Sequence, residues 1–230
     1  MELTCCRFAL ADGVATITLD RPPVNAQNRR LREELTWLFD ACSDREDVRA
    51  VVLTGAGASF SAGADIKERV GLVQGPGDYI RHNRLTREFF YAPMDCLKPV
   101  ICAANGPAIG AGFALMLACD ILLAAEECWV QMPEIDVGLA GGAKFLSEHF
   151  SRSKARMMFF TGRRVPATEL HRLGLIEQVL PRAALLGTEA ARYVFVSEDG
   201  KAKRVNVAVR QIDATRVEVL DGLEENAVTL

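Results

Sequence analysis

Two stretches of small residues could hold a ligand oxygen with backbone alone. Lys98–Asp120 reads KPVICAANGPAIGAGFALMLACD and Gly55–Lys67 reads GAGASFSAGADIK. Amide N–H groups at the start of a helix lack intrahelical partners and carry partial positive charge. Where glycine and alanine keep the backbone bare, an oxygen can approach those donors, which is how an oxyanion hole is built without side chains. Tight packing of a buried helix would use the same residues, and both readings stand at this level. The G-x-x-x-x-G-K-[ST] order of a phosphate loop is absent, and so is the G-x-G-x-x-G spacing of a dinucleotide site. His82, His149 and His171 are scattered and show no metal-ligand spacing. The seven cysteines are odd in number, form no C-x-x-C and lie partly in apolar runs, as expected of reduced, buried thiols.

The elements that must position these stretches follow from pattern. Val14–Leu19 alternates after the turn signal Asp12-Gly13 and predicts a strand of a hairpin. Leu31, Leu35, Leu38, Phe39 and Cys42 fall on one face of a helix. Arg49–Thr54 and Pro99–Ala104 predict buried strands, Asp78–Tyr91 a polar amphipathic helix, and Ala108–Cys119 a helix entered through a glycine-rich bend. Short strands are expected at Asp120–Ala124, Cys128–Gln131 and Ile176–Leu180. Helices are expected at Gly142–Phe150, Ser153–Phe160 and Ala167–Leu173. This alternation argues an α/β class with crossover connections. After about Leu186 the pattern changes. Tyr193–Ser197, Val205–Val209 and Arg216–Leu220 predict three successive strands, an all-β tail. The expected organisation is therefore a main domain over residues 1–186 and a β-rich segment over 187–230.

Composition narrows the function classes. The chain has 230 residues, half of them hydrophobic and a quarter charged, with a net charge of −3. That suits a soluble globular protein and offers nothing to attract nucleic acid or an anionic membrane. No apolar run approaches the roughly 18–20 residues of a membrane span. Met1–Leu10 lacks the basic start and apolar core of an export signal, so a cytoplasmic location is expected.

The motifs together resemble a known family. GASFSAGADIK, KPVICAANGPAIGAGFALMLACD, WVQMPEIDVGLAGGAKFL and MFFTGRRVPATELHRLGLIEQVLP, in that order behind DGVATITLDRPPVNAQN, are similar to the crotonase superfamily, the enoyl-CoA hydratase/isomerase family. The resemblance covers about residues 1–186. It implies a spiral of ββα units, usually assembled as trimers or paired trimers. It implies an acyl-CoA thioester as the small-molecule substrate in the chemistry of fatty-acid metabolism. Coenzyme A enters as part of that substrate, with no prosthetic group. By motif position the thioester oxygen falls to the backbone N–H groups of Ala64 and Ala111. Similar hydratases use two glutamates. One follows the proline of P-E-I and is present as Glu134. The other position is Ala114, which carries no proton, and Glu126 and Glu127 do not match it. The resemblance thus implies a single-glutamate, isomerase-like mechanism. An acyl-CoA-binding or interaction protein with impaired catalysis is the alternative. The coenzyme is expected against Val24, Asn25, Ala26 and Ile66, with Lys67 near its phosphates. An aspartate nucleophile, used by some similar enzymes past Ile135, is disfavoured because Gly141-Gly142 stands there. Asp136 is the nearest candidate. The family's usual C-terminal helices are missing. In their place the tail, 193–230, resembles the C-terminal β segment of periplasmic efflux adaptor proteins in its V-F-V, D-G-K and R-V-E-V-L-x-G-L runs.

Overall fold

The structure is a computed structural model that describes residues 1–69, 71–139, 141–182, 192–198, 201–211 and 217–221. The chain divides into two compact units, Met1–Leu186 and Gly187–Leu230.

The first unit opens with a hairpin of β1 (Cys6–Ala11) and β2 (Val14–Leu19). Asp12 and Gly13 both take positive φ, 51° and 80°, the backbone that a two-residue hairpin turn requires. Helix α1 (Arg29–Asp44) is capped by Asn28, whose side chain accepts from the Leu31 N–H. Its predicted stripe Leu31, Leu35, Leu38, Phe39 and Cys42 is buried. The chain continues through β3 (Ala50–Gly55), the short helix α2 (Ile66–Arg69), α3 (Asp78–Asp95) and β4 (Val100–Ala104). Next come β5 (Ala108–Ile109), α4 (Ala111–Leu117), β6 (Ile121–Ala125) and β7 (Trp129–Gln131). Helices α5 (Ala143–His149) and α6 (Arg152–Thr161), strand β8 (Val165–Pro166), helix α7 (Ala167–Arg172) and strand β9 (Gln178–Leu180) close the unit.

Six strands form the main sheet in the order β1-β2-β3-β4-β6-β9. Only the β1–β2 pair is antiparallel; the remaining pairs are parallel. Parallel strands need helical crossovers, and burial on both faces suits their β-branched and leucine-rich runs. Ile17, Leu19, Val51, Leu53, Val100 and Cys102 are all buried in this sheet. A second, small sheet joins β5, β7 and β8.

The helix expected over Ala108–Cys119 is shorter than predicted. Ala108–Ile109 pairs in parallel with Val130–Gln131 instead, and Ile109 donates its N–H to the Ser61 carbonyl at 2.9 Å. Gly110, at φ 52° and ψ −118°, then turns the chain into α4. A residue with a Cβ rarely adopts that conformation, so the glycine sets the helix start one residue later. Helix α3 runs on to Asp95 with Pro93 inside its last turn, and β8 had no sequence signal of its own. The seven cysteines are free thiols, and all except Cys96 are buried.

The second unit is an antiparallel meander of β10 (Arg192–Glu198), β11 (Lys201–Gln211) and β12 (Val217–Asp221). A register shift interrupts the β11–β12 pairing between Ala208 and Val209. Each of the three expected strands falls on one of these, although Arg216 lies outside the described residues.

Candidate active site

Two backbone segments meet at the centre of the first unit, and glycine permits the meeting. A Cβ on Gly63 would lie 2.4 Å from the Ile109 carbonyl oxygen and 3.1 Å from the Ala111 nitrogen. One on Gly112 would lie 2.3 Å from the Ser61 carbonyl oxygen. No side chain fits in either gap, so the Ser61–Ala64 segment and the start of α4 touch through bare backbone. Bridges between Gln27 and Ala64 and between Ser61 and Ala108 hold the same junction.

Buried polar side chains fix these loops. Asn25 is in the left-handed region at φ 52° and is 1 % exposed. Its Nδ2 donates to the carbonyls of Ala56, Ser59 and Phe60 at 2.9, 2.9 and 3.2 Å, and its Oδ1 accepts from the Arg21 N–H. Ser61 donates its hydroxyl to the Asn25 carbonyl at 2.8 Å. Gln27, fully buried, donates to the Ser61 hydroxyl at 3.3 Å and to the Ala111 carbonyl at 3.2 Å. Arg21 closes the outer side through Asp65 at 2.7 Å and the Ala26 carbonyl at 2.9 Å. Neither the N–H of Ala64 nor that of Ala111 enters a backbone hydrogen bond among the described residues.

Ala64 and Ala111 line one cavity of about 440 Å³, and Glu134 lines it with them. Its far wall is helix α3, through Thr86, Phe90 and Tyr91. Glu134 follows β7 in a turn closed by N–H donation from Leu139 to its carbonyl at 2.9 Å. Its carboxylate lies over Gly110, where an added Cβ would stand 3.0 Å from Oε1. Oε2 is buried without a hydrogen-bond partner among the described residues. Burial accordingly pushes the Glu134 pKa above the ordinary glutamate range. A raised pKa brings a carboxylate closer to the poise wanted of a proton shuttle at neutral pH.

Ala114 lines the same cavity and is buried. Its Cβ would lie 3.8 Å from a Cβ on Gly142, so apolar surface stands where a second carboxylate would be needed. Glu126 and Glu127 are exposed on the β6–β7 turn. Asp136 is exposed, with Oδ2 beside Gly162.

The residues expected along the coenzyme are spread more widely. Ile66, 53 % exposed, lines the cavity. Val24 and Lys67 are exposed, and Ala26 is half-buried. The Lys67 N–H bonds Asp65 Oδ1 at 3.0 Å, while its side chain lies on the surface. Asn25 turns inward and shapes the loop. Gln27 and the α3 residues carried no sequence signal of a role here. The one available hint was the polar face of α3. Among the described residues no group of His, Cys, Asp and Glu could hold a metal ion, and no helix is long and apolar enough to cross a membrane.

Comparison with known proteins shows the family. The family model described as Enoyl-CoA hydratase/isomerase matches residues 10–215. A Rhodococcus jostii protein described as (7aS)-7a-methyl-1,5-dioxo-2,3,5,6,7,7a-hexahydro-1H-indene-carboxyl-CoA hydrolase is 32% identical over 218 residues, 93% of this chain and 83% of the relative. A short-chain-enoyl-CoA hydratase of Clostridium acetobutylicum is 34% identical over 195 residues, 82% of this chain and 73% of the relative. A crystal structure of an enoyl-CoA hydratase/isomerase from Mycobacterium paratuberculosis superposes with a TM-score of 0.73 at 33% identity, covering 79% of this chain and 75% of that one. With the parallel sheet, the abutting glycine loops and these matches in agreement, the chain belongs to the enoyl-CoA hydratase/isomerase family and has its α/β crotonase fold.

Proposed function

We propose that this chain moves a proton beside an acyl-CoA thioester with Glu134 as its single base, converting a 3-enoyl thioester to the 2-enoyl isomer. The observation that carries this reading is Glu134, whose Oε2 is buried with no hydrogen-bond partner among the described residues, in a cavity that Ala114 also lines. The thioester oxygen accepts from the N–H groups of Ala64 and Ala111. The hydrogen bonds of Asn25, Gln27 and Ser61 hold both loops in place, and donors so positioned stabilise the developing enolate without reorganising. Glu134 takes a proton from the carbon next to the thioester carbonyl. The electron pair spreads over a dienolate, and the protonated Glu134 returns the proton two carbons further along. Atoms and charge balance, and the double bond has moved by one position. Hydration would also need a group to hold and activate water, and Ala114 supplies none.

The relatives named above include a hydrolase and a hydratase, so family membership leaves the reaction to the side chains of the individual cavity. Val24, Ala26, Ile66 and Lys67 are assigned to the coenzyme side, with Asn25 shaping their loop. We assign assembly in threes or sixes to the first unit and no catalytic part to Gly187–Leu230.

The test is turnover of 3-enoyl-CoA and 2-enoyl-CoA by the purified full chain, with and without Glu134→Gln. The expected result is isomerisation that falls by about 10²–10⁴-fold in the variant. Equal activity in both proteins removes Glu134 from the mechanism. A second reading, favoured by Ala114, is acyl-CoA binding without efficient turnover. Calorimetry showing tight binding of an acyl-CoA together with no product would select it.

A further inference from the structure

A second cavity of about 620 Å³ is also lined by Glu134. It shares Glu134, Leu139 and Gly141 with the first, so the carboxylate stands in a wall common to both. Its lining is uneven in character. Ile135, Phe159 and Phe160 present apolar surface, and Arg152 and Arg156 present two guanidinium groups. The arginines are four residues apart on α6 and share a helix face. Glu134 is the one carboxylate in the lining.

Several cations on the same and adjoining segments are engaged, although the Arg163 side chain, like those of Arg152 and Arg156, enters no ion pair among the described residues. Lys154 and Arg172 both bind Glu169, at 3.4 and 2.8 Å. Arg164 lies 4.1 Å over the Trp129 ring, and Lys144 lies 4.6 Å over the Tyr91 ring. Arg152 and Arg156 enter no ion pair among the described residues. The placement of Arg152 is also unfavourable to the helix. Arg152 is the first residue of α6, and the first turn holds no acidic residue. Positive side chains at that end oppose the helix dipole. The result is a groove open to solvent, with exposed Ile135 and Phe160 and two exposed guanidinium groups, next to a carboxylate whose Oε2 has no hydrogen-bond partner among the described residues.

We propose that this groove receives the far end of the acyl chain and that Arg152 and Arg156 bind a terminal carboxylate there, so the substrate class is the CoA monothioester of an unsaturated dicarboxylic acid. The proposal rests on the reading of Glu134 as the base, because that reading puts the reacting carbons at the shared wall. The apolar residues hold the methylene chain. A guanidinium matches a carboxylate in a two-point hydrogen-bonded fork, and two of them offset its desolvation.

Calorimetry on the full chain with unreactive saturated ligands tests this. The probes are hexanedioyl-CoA and octanedioyl-CoA against hexanoyl-CoA and octanoyl-CoA. The expected result is at least one dicarboxylic thioester binding about tenfold or more tighter than its monocarboxylic counterpart. That preference should disappear in the double variant Arg152→Gln, Arg156→Gln, while hexanoyl-CoA affinity stays unchanged. Equal affinities at both chain lengths overturn the proposal, as does a preference that survives the double change. Equal weakening of all four ligands also overturns it, since the arginines would then be holding coenzyme phosphates. Glu134→Gln separates the two readings: it should retain the binding preference while losing turnover. Full turnover in that variant would sink the catalytic reading and leave the preference to decide the groove.

Discussion

Glu134 is half-buried with one oxygen unpartnered, and its titration has two consequences. The base must be ionised to act. Since burial raises its pKa, isomerase activity should fall along an acid limb centred above the ordinary glutamate range. A pH–rate profile of kcat/KM checks this, and a limb at or below that range would contradict it. The stability effect has the opposite sense. A folded-state pKa raised above the unfolded value favours the protonated form, so the associated stability is present in acid and lost as pH rises through the raised value. Glu134→Gln should therefore be at least as stable as the parent at neutral pH, with the difference shrinking in acid. Thermal unfolding at both pH values measures it. Gly112 gives a second prediction at this scale. A methyl group 2.3 Å from the Ser61 carbonyl must push two backbones apart. Gly112→Ala should lose about 2 kcal/mol of stability and much of the activity. Unchanged unfolding and turnover would show that the junction is slack.

Helix α1 illustrates what a single element does for the molecule. Its apolar face packs inward, and its buried Glu34 gathers the N-terminal segment. Glu34 accepts from the N–H groups of Thr4, Cys5 and Cys6 at 2.8, 2.8 and 3.0 Å, from the Thr4 hydroxyl at 2.7 Å, and pairs with Arg30 at 2.7 Å. Burial alone would raise its pKa. The hydrogen bonds from Thr4, Cys5 and Arg30 outweigh it and hold the group below its usual value. That contribution is present above the ordinary glutamate pKa and is lost as pH falls through the depressed one. Glu34→Ala should cost about 3 kcal/mol, because it leaves buried donors unmatched. Denaturant unfolding at neutral pH checks it, and the difference from the parent should narrow in acid. Helix α4 shows the opposite dependence. Its length was set by contacts from elsewhere, through Gly110 and the pairing of Ala108–Ile109 with β7.

At the scale of the whole molecule, the prediction concerns assembly. The proposed trimer or hexamer should sediment at three or six times the chain mass of 25.1 kDa. A species of single-chain mass at micromolar concentration would refute it. The two units, Met1–Leu186 and Gly187–Leu230, differ in kind, one α/β and the other a three-stranded meander.

The sequence by itself determined whatever repeats at short range. The stripe of α1, the Asp12-Gly13 turn, the parallel-type strands and the three late strands are written in residues a few positions apart, and local sterics and burial act on that scale. The glycine-rich stretches announced a bare backbone, and they left open whether packing or a ligand uses it. Tertiary structure alone decided the rest. It brought Ala64 and Ala111 to the lining of one cavity and turned Asn25 inward. It placed Gln27 between two loops and set α3 as the far wall. It also made Glu134, with Oε2 unmatched among the described residues, a lining residue of both the cavity and the groove that Arg152 and Arg156 line. These relations join residues tens of positions apart, and they exist only because close-packed backbones exclude everything larger than glycine at the junction.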